Sequence, residues 1–201
     1  MRLHLHKKAI RCFGIAESFR KGALPNSILA GVVMRSDFII DGFSFGRATL
    51  GGNDATNAIV LMFKGLHRKD VNFLMVGGSI VSLFNIIDVD GLYSTISIPV
   101  ISITYHPSEG LEDHLKHHFP FDQGKVEAYK RLGDRECITL HTGKQVFIRC
   151  AGIGKDEAKE AVDRFTLQGG VPEPIKVAKL ISRAMLNYLS NGSTLGSPDH
   201  T

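Results

Sequence analysis

The chain has 201 residues, 43% of them hydrophobic and 22% charged, and carries 24 Lys and Arg against 20 Asp and Glu for a formal charge of +4. That length suits one domain with a real core, the composition argues against disorder over most of the chain, and the longest apolar runs, 71–76 and 80–84, are interrupted far too soon to span a bilayer. Charges scattered through the first twenty residues leave no apolar stretch for a signal peptide, and Cys12, Cys137 and Cys150 show no Cys-x-x-Cys spacing, so the expectation is a cytoplasmic protein with reduced thiols.

In chain order, residues 9–15, 28–34 and 38–45 read as strands, the last two forming a hairpin across Arg35-Ser36-Asp37. A short piece at 47–50 leads to Gly51-Gly52, and Asn53-Asp54-Ala55-Thr56 reads as a capped start to a helix that runs to about residue 64. Residues 71–76 are a buried strand ending at Gly77-Gly78-Ser79; Ile80, Phe84 and Ile87 fall at helical spacing, and 98–105 is a further strand. Helices follow around 111–118 and 124–132, then a hairpin of 137–141 and 145–150 turning at Thr142-Gly143-Lys144. Two more helices are expected, one starting at Gly154-Lys155-Asp156 and the last near Pro174, ending at Asn191-Gly192-Ser193. The reading is a single domain over 1–191 with a loose polar tail over 192–201.

Three strands with a hairpin, then helix, strand, helix and strand, is the order of the ribonuclease H-like fold, although another doubly wound sheet also fits. Four strings narrow the choice: GGNDATN at 51–57, LFNIIDVDGLY at 83–93, SIPVISITY at 97–105 and VPEPIKVAKLI at 171–181. Together they resemble an archaeal family related to endonuclease V, the endonuclease dU family. The resemblance implies an α/β fold, with a ribonuclease H-like (endonuclease V-like) central mixed sheet flanked by helices. It also implies metal-dependent cleavage of nucleic acid carrying a deaminated base such as deoxyuridine.

Phosphodiester hydrolysis of that kind uses Mg2+ or Mn2+, and hard ions take converging carboxylate oxygens. The family pattern carries Gly-Ile-Asp-Asp at the end of the first strand, where this sequence has Gly14-Ile15-Ala16-Glu17. Two further acids of the pattern are replaced at Gly51 and Gly77, and Tyr105 and His106 stand near the position of a lysine used by endonuclease V. The resemblance thus leaves Glu17 and Asp54 as catalytic candidates, and Glu17, Asp54 and Asp88 as a reduced metal set completed by water; the second reading is a non-catalytic nucleic-acid-binding or interaction module that kept the scaffold and lost the cage.

Each acid also has a structural reading. Asp54 suits a helix cap, Glu17 offsets Arg20 and Lys21, and Asp88 among Ile86, Ile87 and Val89 suits a buried hydrogen-bonding role. For a nucleic-acid partner, DNA or RNA, the candidates are Lys176, Lys179 and Arg183 on one stripe of the last helix, and the Gly77-Gly78 turn, whose N–H groups suit a phosphate. A solvated helix face and a tight turn explain the same residues. The basic segment over 1–21, with Arg2, Lys7, Lys8, Arg11, Arg20 and Lys21 against Glu17, adds a local positive field. His114 and His118 lack a third ligand and read as ordinary helix residues; Phe19, Phe43 and Phe45 read as core or as stacking groups.

Overall fold

The computed structural model of the chain describes residues 9–107 and 110–192. Among them, seven strands form one mixed sheet in the order β3-β2-β1-β4-β7-β9-β8. Strands β1 (Arg11–Ser18), β2 (Asn26–Arg35) and β3 (Ile40–Thr49) form an antiparallel meander, β1, β4 (Phe73–Val76) and β7 (Val100–Thr104) are parallel, and β9 (Gln145–Ala151) returns antiparallel beside β8 (Glu136–Thr139). The first and fourth strands are neighbours, as the element order predicts, with Ile15 opposite Val76.

All four residues of β4 are buried, because a parallel strand covered on both faces needs apolar side chains on both. One face packs Cys12, Val32, Met34, Phe73, Met75 and Ile101 against α5 (Lys155–Arg164) and α6 (Glu173–Gly192). The other packs Phe13, Ile15, Leu29, Leu74 and Val76 against α1 (Ala55–Gly65) and α2 (Val89–Ile96). The two sets alternate along each strand with the period-two pleat. Gly14 lets α6 approach: a Cβ there would lie 2.5 Å from Pro174 Cβ.

Helices α3 (Glu112–His118) and α4 (Gln123–Arg131) fall where the sequence places them, and the expected pieces at 38–45 and 47–50 are one continuous strand, β3. The helix expected from Ile80, Phe84 and Ile87 is replaced by a two-stranded ribbon, β5 (Ile80–Val81) with β6 (Asn85–Ile86). Its turn holds Ser82, Leu83 and Phe84 at φ 49°, 55° and 68°, three successive left-handed residues. The apolar spacing is real, but the hydroxyl and amides of this segment bond to distant strands, which a helix would prevent. The helix of the expected order lies later in the chain, as α2; its cue is Asp88, whose carboxylate accepts the Gly91 N–H at 2.9 Å as an N-cap. Gly192, where the tail is expected to begin, is the last residue of α6; Arg2, Lys7, Lys8 and the rest of the expected tail, 193–201, lie outside the described residues.

Candidate functional site

The parallel strands β1, β4 and β7 end on one edge of the sheet, which brings Glu17, Gly77-Gly78 and Thr104 to a common face. Glu17 is fixed there by the β5–β6 turn: its Oε1 accepts the Ser82 N–H at 2.9 Å and its Oε2 the Ser82 hydroxyl at 2.8 Å. The same turn reaches the loop after β3, since Gly51 N–H donates to the Ser82 carbonyl at 2.6 Å.

Asp54 stands at the N-cap of α1 but makes no side-chain cap bond. Its carboxylate turns back and accepts from Thr49 N–H at 3.0 Å, Thr49 Oγ1 at 2.7 Å and Asn85 Nδ2 at 2.6 Å. Burial would raise its pKa, but the bonds from Thr49 and Asn85 outweigh that and hold it below the usual carboxylate value. Asn85 closes the arrangement by accepting the Ala55 N–H on its Oδ1 at 3.1 Å, so it satisfies a donor at the start of α1 that Asp54 does not. Asp88 is exposed, not buried, and is occupied in capping α2.

The structure therefore links Glu17 and Asp54 through one small network while Asp88 serves another helix. Among the described residues no three His, Cys, Asp or Glu side chains converge as ligands for a metal ion. With Asp88 turned to another helix and no third acid converging among the described residues, the set does not fit a multi-carboxylate magnesium or manganese cage.

A cation is nevertheless present beside them. Lys125 of α4 is only 1% exposed, and its Nζ donates to the carbonyls of Gly51, Gly52 and Phe84 at 3.1, 2.8 and 3.1 Å and to Asn53 Oδ1 at 2.8 Å. Its ammonium also lies 4.7 Å from the centre of the Phe119 ring. Burial lowers its pKa from the ordinary lysine value, with the Asp122 charge opposing. This residue ties the loop after β3 to the β5–β6 turn and was missed from the sequence, where position 125 looks like any lysine on a polar helix. Three buried serine pairs were missed as well: Ser27 with Ser82 at 2.5 Å, Ser79 with Ser102 at 2.6 Å and Ser18 with Ser182 at 2.9 Å.

The basic stripe of α6 divides. Lys176 is paired with Glu173 Oε1 at 2.5 Å, Lys179 donates to the Glu17 main-chain carbonyl at 2.5 Å, and Arg183 is exposed on the helix. The Gly77-Gly78 turn is no phosphate cradle: Gly77 N–H goes to the Ile15 carbonyl and Gly78 N–H to the Val76 carbonyl, each at 2.9 Å. Phe43 and Phe45 are 51% and 47% exposed on β3, so neither is core.

A sequence profile described as Endonuclease dU matches residues 8–186. The chain belongs to the endonuclease dU family. This member of the endonuclease dU family is 36% identical over 180 residues to a UPF0215 protein of Pyrobaculum calidifontis, a match covering 89% of this chain and 98% of that one. It is 32% identical over 201 residues to a UPF0215 protein of Methanosarcina acetivorans, covering 96% and 99%. Its fold is similar to a solved protein of unknown function from Archaeoglobus fulgidus, with TM-score 0.74, 21% identity and coverage of 88% and 98%. It is also similar to Ciona intestinalis Endonuclease V in complex with a 24mer DNA containing an inosine, with TM-score 0.62, 17% identity and coverage of 90% and 88%. The fold is that of endonuclease V, a ribonuclease H-like α/β sheet, as expected from the sequence.

Proposed function

We propose that this endonuclease dU-family chain binds a nucleic-acid strand across the Glu17, Gly77-Gly78 and Thr104 end of its sheet, in the cytoplasm, and holds it without cutting it through a magnesium or manganese centre. Deoxyuridine-containing strands are the ligand class to which the family points. The observation that carries the reading is the commitment of the acids: Glu17 is held by Ser82, Asp54 by Thr49 and Asn85, and Asp88 caps α2. Turning Asp88 towards the other two would cost the cap of α2, about 0.5–2 kcal/mol.

On this reading the chain's own residues bind and orient. Arg183 attracts phosphate, with no base preference. The Lys179 bond to the Glu17 carbonyl fixes α6 against the end of β1. The exposed rings of Phe43 and Phe45 offer apolar faces suited to stacking bases. No helix among the described residues is long and apolar enough to cross a membrane, which agrees with an aqueous partner.

The test pairs binding with cleavage. Labelled deoxyuridine-containing, inosine-containing and unmodified oligonucleotides are titrated with the protein, then incubated with it in magnesium or manganese beside a Glu17→Ala control. Binding with no more product than the control is expected. Metal-dependent product that vanishes in Glu17→Ala overturns the proposal in favour of cleavage at Glu17.

A further inference from the structure

Beyond β7 the same edge of the sheet opens into a cleft of about 650 Å3, lined by Glu112, Tyr129, Lys130, Arg135, Phe147 and Arg149 among others. Both guanidiniums are anchored at its wall. Arg135 Nη1 donates to Thr104 Oγ1 and to the His106 carbonyl, both at 3.1 Å, while its guanidinium lies 5.1 Å from the centre of the Phe147 ring. Arg149 Nε donates to the Gly133 carbonyl at 3.0 Å. Lys130 stands opposite Glu112 at 3.6 Å, an exposed pair that largely offsets itself. Asp134 lies near Arg149, and among the described lining residues three cations, Lys130, Arg135 and Arg149, stand against two acids, Glu112 and Asp134.

The two arginines feel one another. Burial lowers the Arg149 pKa and the Arg135 charge adds to that, with Tyr129 and Asp134 opposing. An anion set between them would relieve the repulsion, and planar forks match phosphate oxygens better than any other side chain. The cleft also joins the face described above: a Cβ built on Gly78 would lie 3.9 Å from Thr104 Cγ2, and Thr104 holds Arg135.

We infer that Arg135 and Arg149 form a phosphate-binding subsite for a strand that crosses the Gly77-Gly78 end of the sheet. The inference rests on the nucleic-acid reading proposed above and assigns that strand its path, from β1 over β4 and β7 towards β9. The ligand is a phosphodiester of the strand, not a free phosphate.

Titration of the full chain with a labelled single-stranded 12-mer at several salt concentrations tests it, using wild type, Arg149→Gln, Arg149→Lys, Arg135→Gln and Arg183→Ala, each checked for folding by thermal melting. Arg149→Gln and Arg135→Gln should each weaken binding several-fold and lower the salt slope by about 0.7. Arg149→Lys should keep most of the slope. Wild-type binding that Arg183→Ala reduces but the Arg135 and Arg149 variants leave untouched overturns the subsite and spares the nucleic-acid reading. Absence of any wild-type binding overturns both. Inorganic pyrophosphate that displaces the 12-mer at concentrations as low as unlabelled strand would assign the cleft to free phosphate and overturn the strand's path.

Discussion

Glu17 and Ser82, sixty-five residues apart in sequence, are joined by two hydrogen bonds that use both carboxylate oxygens. Ser82 makes them from a left-handed backbone at φ 49°, a conformation disfavoured by about 1–2 kcal/mol for a side-chain-bearing residue. The contact is thus maintained against local strain, and its hydroxyl also meets Ser27.

Substitution at 82 should show both effects. Ser82→Ala loses the hydroxyl bond and keeps the strain, and should lower stability by about 1–2 kcal/mol. Ser82→Gly loses the same bond but relaxes the backbone, so its urea midpoint should lie above that of Ser82→Ala, the reverse of the usual order for glycine and alanine. Equal midpoints would remove backbone strain from the account.

Lys125→Met should cost about 1–3 kcal/mol, because the carbonyls of Gly51, Gly52 and Phe84 and the Asn53 amide oxygen lose their shared donor. The loss should be local first. Amide exchange at residues 51–53 and 82–85 should speed up more than exchange in β4, and uniform acceleration would place Lys125 outside the support of these loops.

The acid limb of stability should report Asp70. The Arg68 guanidinium, hydrogen-bonded to both its oxygens at 2.8 Å, holds its pKa at about 2 against an ordinary 3.8. The folded chain therefore gives up this proton more readily than the unfolded chain, so the contribution is complete above about pH 4 and is lost as pH falls towards 2. Asp70 is 47% exposed, which limits the effect to about 1 kcal/mol or less through screening. The melting temperature of Asp70→Asn should fall less steeply between pH 4 and 2 than that of wild type, and parallel curves would contradict the assignment.

On α6 the three cations should separate. Arg183→Ala should lower the salt slope of strand binding by about 0.7–0.9, whereas Lys176, paired with Glu173, should leave it unchanged when replaced by Ala. Equal effects of the two substitutions, measured by titration at several salt concentrations, would restore the whole stripe as a phosphate track.

What could be read from the sequence follows from how locally it is encoded. The apolar run ending in β4, the β2–β3 hairpin at Arg35-Ser36-Asp37 and the Gly143 turn of β8–β9 depend on neighbours in the chain, and all three appear as expected. The 80–87 segment failed because helical spacing of Ile80, Phe84 and Ile87 says nothing of Ser82 reaching Glu17 or Asn85 reaching Asp54 across thirty-one residues. Glu17 and Asp54 were visible as acids; their partners were not, since hydrogen-bond satisfaction is settled by tertiary contacts. Lys125 gave no signal, because burial of a lysine requires an oxygen cage assembled from two distant loops.

Small residues at 16, 51 and 77 also set what it would cost this fold to carry more acids at the end of its sheet. Ala16 is packed in the α6-side core, Gly51 has φ 69° with Phe119 Cζ 3.3 Å from where a Cβ would sit, and at Gly77 a Cβ would lie 3.2 Å from Ile175 Cγ2. An aspartate introduced at any one of them would meet a desolvated core, a left-handed backbone or a packed isoleucine. Each intermediate would be less stable than its parent, in a fold whose whole margin is about 5–15 kcal/mol. Building an acid-rich centre by single substitutions at these positions therefore runs uphill from the outset.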